Sequence, residues 1–285
     1  MYYVLSLLAG VLVSAMIALN GGLSASYGVY LATVIIHLVT LTFMAGWVLV
    51  KRENPFAARY AWYLYIGGAV GVLTVLFNNL AFGRISVSAI LALGLFGQGV
   101  CGLLVDQYGL LGMPRHPFRR SKLFGLSVVL AGAMVMITSF EIAAVILSLS
   151  AGVTIVASRT FNAKLAEFTS AHTSGFFNAL VGTCASLPLF LLLGLGEIPY
   201  IQLSPNPFFY MGGLLGAFVV VISNVIVAKI SAFYLSLLMF TGQVFAGVLI
   251  DILLTREFSP HILLGGVLVA SGLCVNLFLD HRKTE

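Results

Sequence analysis

Charge is what this sequence has least of. Asp, Glu, Lys and Arg make up 8% of its 285 residues, against 60% hydrophobic ones. A soluble domain carries about a quarter charged residues, so a water-soluble fold is excluded and a lipid-embedded one is expected. Cysteine is scarce as well. Cys101, Cys184 and Cys274 stand singly, without the paired spacing of a metal or redox site, so they read as small packing residues and neither metal nor cofactor is expected. The chain also has no Gly-rich phosphate loop, no His-Glu-x-x-His and no Ser, His and acid set outside its apolar runs. It does not read as an enzyme, and without a nucleotide motif it is not a self-contained pump.

What it has instead is apolar runs long enough to cross a bilayer, which takes roughly 20 residues as a helix. Ten are read, near 3–23, 28–50, 60–82, 87–105, 122–140, 142–162, 173–193, 208–228, 232–253 and 262–280. The first has no basic stretch before it and no cleavage site after it, so it is expected to be retained. With the N-terminus inside, Lys51, Arg52, Arg59, Arg115, Arg119, Arg120, Lys122, Arg159, Lys164, Lys229, Arg282 and Lys283 all fall towards the cytoplasm. Only Arg84 and Arg256 fall outside. That asymmetry predicts both termini in the cytoplasm and makes the net charge of +5 a topology signal, not a nucleic-acid surface. The basic loop at 114–122 is a topology anchor or a contact for membrane lipids. Tyr2, Tyr3, Trp62, Tyr63, Tyr65 and Tyr210 suit interfacial anchoring, and Pro188 is expected to kink the seventh span.

The chain repeats itself. GQGVCGLLVD at 97–106 returns as GQVFAGVLID at 242–251, and under a shift of 145 residues 13 of the 40 positions from 67 to 106 are identical. LSLLAGVLVSAMIALN at 5–20 matches LSLSAGVTIVASRTFN at 147–162, which lays Asn20 on Asn162. Residues 1–140 and 141–285 therefore read as two copies of a five-helix unit. Five is odd, so the second copy must be inverted in the membrane, the architecture that alternating access requires.

Two inverted five-helix halves, with DQYGLLG at 106–112 after a GQ-bearing fourth span, resemble the drug/metabolite transporter superfamily in its YdcZ-like branch, fused form. The resemblance implies a central cavity lined mainly by spans 1, 3, 4, 6, 8 and 9, with spans 5 and 10 as scaffold. It also implies a glutamate on the first span in the small multidrug branch. That residue is missing here: the first span offers only Ser6, Ser14 and Asn20, so export of drug cations through such a carboxylate does not carry over.

Polar side chains inside spans face the bundle or a wet cavity. Asn20, Asn79, Gln98, Asn162, Asn224 and Gln243 form two repeat-related sets around the midplane and are the candidate substrate-binding residues. The alternative is that each only bonds a neighbouring helix. His37, opposite Ala179 in the repeat, is the candidate for proton coupling, or else a neutral hydrogen-bonded histidine. Asp106 and Asp251 end their helices, where the dipole disfavours an acid. The inverted repeat would supply cross-half partners, Arg84 for Asp251 and Lys229 for Asp106, if spans 4 and 9 pack along their glycine stripes. The competing assignment pairs Asp106 with Arg115 or Arg119, and Asp251 with Arg256. The sequence thus predicts a multi-pass secondary transporter of a small organic metabolite in the cytoplasmic (inner) membrane. The acid-poor interior leans towards a neutral or anionic solute. A single chain already holds both halves, which leaves a monomer sufficient and an oligomer open. The rival readings are a multidrug cation exporter and a non-transporting scaffold or lipid-binding protein.

Overall fold

The computed structural model describes the chain except residues 86, 114, 116–124, 126, 129, 133, 136–140, 202–205, 228, 256–259 and 282–285; the side chains of 88, 199, 200, 232, 233, 248, 250–255, 262, 269 and 273–281 are likewise undescribed. In lipid every backbone N–H and C=O must be paired within the protein, and apolar runs of this length satisfy that as helices. Among the described residues the main ones are α1 (Tyr2–Tyr27), α2 (Val29–Val50), α3 (Gly67–Ala81), α4 (Val87–Tyr108), α5 (Ile142–Phe168), α6 (Ala171–Leu189), α7 (Met211–Ile226), α8 (Ala232–Thr255) and α9 (Pro260–His281). Seven helical segments there are long and apolar enough to cross a membrane, and Tyr234–Gly247 and Leu263–Gly272 add shorter apolar stretches. The predicted span at 122–140 lies largely outside the described residues. Gly272 nevertheless packs against Gly125 and Val128, which joins that stretch to α9.

Local signals explain the breaks. α1 and α2 are separated by Gly28 alone, at φ +81°, a conformation that costs a residue with a Cβ. Pro188 has no N–H to give to the turn before it. The α-geometry ends one residue later, widens to a π-turn over Phe190–Gly194 and tightens to a 3-10 segment over Leu195–Tyr200.

Packing is mostly between the halves. α1 lies against α7 and α8; α2 against α6 and α7; α3 against α5 and α6; α4 against α5 and α8. Exchanging α1–α4 for α5–α8 reproduces this pattern. The glycines of the repeated decapeptide explain two of the seams. A Cβ on Gly97 would overlap the carbonyl oxygen of Leu149, and one on Gly152 would overlap that of Gly94; Gly242 and Gly10 stand in the same relation to Leu7 and Met239. These stripes draw α4 onto α5 and α8 onto α1. That differs from the expected glycine seam between the fourth and ninth spans, which do touch but through larger side chains. Leu91, Leu95, Leu237 and Phe240 belong to one apolar core there.

Candidate functional site

A cavity of about 140 Å³ lies between the halves, lined from α1, α2 and α3 and from α5, α6 and α7. Its walls are repeat-related: Asn20 and Asn162, Gly71 and Gly216, and Val75 and Val220 all border it. Among the described residues none of the fourth or ninth span lines it, contrary to what the family resemblance implied; their glycine faces are spent on α5 and α1. The second and seventh spans take their place, with Ile36, His37 and Thr40 from α2 and Asn178 from α6.

The predicted amides divide. Asn20, Asn162 and Asn224 border the cavity; Asn79, Gln98 and Gln243 are buried outside it. Asn162 is held on three sides: its Nδ2 donates to Asn178 Oδ1 at 2.8 Å and to Ser158 Oγ at 3.3 Å, and its carbonyl accepts from Ser174 Oγ at 2.6 Å. Asn79 donates to Thr33 Oγ1 in the first turns of α2, and Asn224 to the carbonyl of Ala171 at the start of α6. Those two therefore tie repeat-related helix starts. Gln243 packs its backbone on Gly10. Six buried side-chain atoms of the described residues have no hydrogen-bond partner. Four of them, Asn20 Oδ1, Asn224 Oδ1, Ser223 Oγ and His37 Nε2, belong to residues that line the cavity; the other two, Ser14 Oγ and Ser24 Oγ, do not. Buried polar groups of a folded protein are nearly always paired, so four orphans around one cavity mark a place for a guest.

Arg159 was read only as one of the charges towards the cytoplasmic side. It stands nine residues before the end of α5, about 13 Å along the axis at 1.5 Å per residue, and borders the cavity. Its Nη1 donates to Gln98 Oε1 at 3.0 Å. Among the described residues no carboxylate lies within ion-pair distance of it. An arginine at the centre of a membrane helix costs about 2.5–3.5 kcal/mol even by insertion scales, and Gln98 occupies one of its five donors. The first member of the GQ repeat thus serves as the acceptor for this arginine. The repeat position of Arg159 in α1 is Ile17, so this charge, like His37, is carried by one half alone.

At each end of α2 a carboxylate ties a loop to a helix start. Glu197, on the 3-10 segment beyond Pro188, accepts from the backbone N–H of Val29 at 2.7 Å, of Tyr30 at 3.1 Å and of Leu31 at 3.3 Å. These are the donors that the N-terminus of α2 leaves unpaired, where the helix dipole also favours an anion. The hydroxyls of Tyr27 and Tyr210 meet beside it. At the far end of α2, some 33 Å away along 22 residues, Glu53 plays the same part for α6. It accepts from Ser170 Oγ and from Thr173 Oγ1 at 2.7 Å, with His172 Nδ1 at 3.3 Å from its other oxygen. Desolvation works against the Glu53 charge, but the bonds from Ser170 and Thr173 and the neighbouring His172 outweigh it and hold the carboxyl below its ordinary range. The loop after α2 thus grips the start of α6, and the loop after α6 grips the start of α2. The two helices run antiparallel.

The predicted ion pairs come out differently. Arg84 pairs with Glu141 at 3.1 Å, both half-exposed, a surface bridge worth about 0–1 kcal/mol; the side chain of Asp251 lies outside the described residues. Asp106 is buried and accepts from Ser231 Oγ at 2.5 Å. The turn before α8 does reach the acidic end of α4, through this hydroxyl, while Lys229 two residues earlier is exposed. Arg119 and Arg256 lie outside the described residues.

Sequence reading missed Arg159, Asn178, Ser223, Glu53 and Glu197. For the two glutamates a signal existed, since Glu53 falls 24 residues after the start of α2 and Glu197 falls 26 after the start of α6. For Arg159 the signal was the length of α5, which continues six residues past the expected end at 162.

The family model described as "Putative inner membrane exporter, YdcZ" (DMT_YdcZ) matches the chain in two parts, residues 1–135 and 143–275. No curated protein matches it. A solved structure titled only "Crystal structure of protein" is 15% identical, covers 99% of each chain and superimposes with a TM-score of 0.72; at that identity it shows the fold alone.

Proposed function

The chain belongs to the DMT_YdcZ family of inner-membrane exporters, and from that premise we propose that it moves a small organic solute by alternating access between two inverted five-helix halves. The observation that carries this reading is the placing of the cavity between two like ties. Glu197 and Glu53 each fasten a loop of one half to a helix start of the other, at opposite ends of α2. Release of one tie with the other kept opens the cavity to one side, and exchange of the two opens it to the other. The exchange symmetry of the packing and the antiparallel course of α2 and α6 support the inversion. So do the two parts matched by the family model, which fall on either side of residue 140. The ten-span, both-termini-inside topology is the one that this inversion and the basic-residue asymmetry support together.

Asn20, Asn162 and Asn224 form the polar wall that meets the solute, joined by Ser223 and Asn178. His37, unpaired at Nε2 and facing Gly182 across the α2–α6 seam, carries the coupling proton. Counterflow in proteoliposomes loaded with a metabolite mixture tests the reading. Accelerated uptake of a labelled component against its unlabelled form is the expected result, and its lack for every fraction of a cell extract leaves a non-transporting scaffold. Replacement of His37 by Gln should make the exchange insensitive to pH and to an uncoupler. Unchanged sensitivity removes the coupling role.

A further inference from the structure

We infer that the cavity is an anion site, and that its cargo is a small carboxylate bearing a hydroxyl or ammonium group. This rests on the transport reading only in taking the cavity as the place where cargo stops.

The charge comes first. Among the described residues that line the cavity, Arg159 is the permanently charged one, and none is Asp or Glu. Gln98, from α4 behind it, accepts one N–H at 3.0 Å and so fixes the orientation of the guanidinium without neutralising it. A planar fork held by one neutral acceptor, with donors to spare, is the arrangement that receives a carboxylate. A cationic drug would meet an uncompensated like charge there.

The orphaned atoms define the rest of the ligand. Asn224 Nδ2 is committed to the Ala171 carbonyl, so its unpaired atom is an acceptor oxygen; Asn20 Oδ1, also without a hydrogen-bond partner, packs against Gly212. An amide oxygen left unpaired in a buried wall calls for a ligand that donates. A plain carboxylate has nothing to give it; a hydroxy acid or an amino acid does. Ser223 Oγ and His37 Nε2 add partners that serve either sense. Volume sets the size. An enclosed space of about 150 Å³ holds a molecule the size of benzene, so a cavity of about 140 Å³ suits a compact solute of about six to eight non-hydrogen atoms.

Purified full-length protein in detergent is titrated with lactate, glycerate and serine, against propionate, lactamide and choline at equal ionic strength, and thermal unfolding is followed by intrinsic fluorescence. The unfolding midpoint should rise saturably with lactate, glycerate or serine, less with propionate, and not with lactamide or choline. Arg159→Gln should weaken the carboxylate response about tenfold or more, and Arg159→Lys should keep part of it. Gln98→Ala should weaken it while leaving the preference for lactate over propionate. Lactamide or choline acting as strongly as lactate, or no response to any carboxylate at millimolar concentrations, overturns the proposal. So does an undiminished response in Arg159→Gln. The wild-type panel alone decides if the variants fail to fold. Counterflow of labelled lactate is read separately. Carboxylate binding without exchange keeps the anion site and removes the transporter, whereas exchange of a cation without carboxylate binding keeps the transporter and removes the anion site.

Discussion

If the two glutamates are latches, replacing them should push the molecule in opposite directions. Glu197→Gln keeps one acceptor oxygen for the start of α2 but removes the charge and the second acceptor that Tyr30 and Leu31 share. A carboxylate at a helix N-terminus contributes about 0.3–1 kcal/mol, up to about 2 when partly buried. Glu197 is half-buried, so about 1 kcal/mol is the expected loss, or about a fivefold shift in the balance between open and closed at that end. Glu53→Gln should cost about the same at the other end, where two hydroxyls and His172 converge. The assay is the labelling rate of a single cysteine by a membrane-impermeant maleimide, with Cys101, Cys184 and Cys274 replaced by Ser. One probe is Ser24→Cys, near the Glu197 end of α1; its repeat mate Ala166→Cys lies near the Glu53 end of α5. Glu197→Gln should raise labelling at 24 and lower it at 166, Glu53→Gln should do the reverse, and the double variant should return the ratio towards that of the wild type. Two single variants that move both probes in the same direction, or a double variant that sums rather than cancels, would refute the latch argument.

Three further outcomes are expected. The folded-state pKa of Glu53 lies below its ordinary 4.5, so its tie stabilises fully at neutral pH and loses that stabilisation only as acid carries the carboxyl through the lowered value; the gap in unfolding midpoint between wild type and Glu53→Gln should stay constant down to about pH 5 and close below it, and a gap that closes while the pH is still near neutral would contradict the assignment. Gly152→Val should cost about 1–3 kcal/mol or prevent folding, because its side chain meets the Gly94 carbonyl and the Gln98 amide, while the same change at Gly46, with open space around it, should be tolerated; equal melting temperatures would refute the seam. Ser231→Ala strips a hydrogen bond from buried Asp106 and should lower stability by about 1–3 kcal/mol, whereas Lys229→Ala at its exposed position should change stability by less than about 0.5 kcal/mol.

The membrane class and most helix bounds among the described residues were legible along the chain, because they depend on local composition, and comparing the chain with itself laid Asn20 on Asn162. Both border the cavity. Which residues share a wall is another matter. Gln98 and Gln243 stand in decapeptides identical at five of ten positions and pack their backbones alike, on Gly152 and Gly10. Yet Gln98 also holds Arg159, where the neighbouring helix of Gln243 has Ile17 at the repeat position. Arg159 reads the same in one dimension whether it faces cytosol or a cavity. Only the rotation of α5 against α4, set by the backbone contact of Gly152 with Gly94, decides that it looks inward. Glu53 and Glu197 likewise sit in short loops like any surface acid, and acquire a role because antiparallel packing of α2 and α6 brings a free helix start beside each. Hydropathy and spacing are properties of the chain within a few turns. The dielectric around a charge and the partner of a hydrogen bond belong to residues on other helices, 61 positions apart for Gln98 and Arg159 and 168 for Glu197 and Val29, and those are brought together only when helix faces meet.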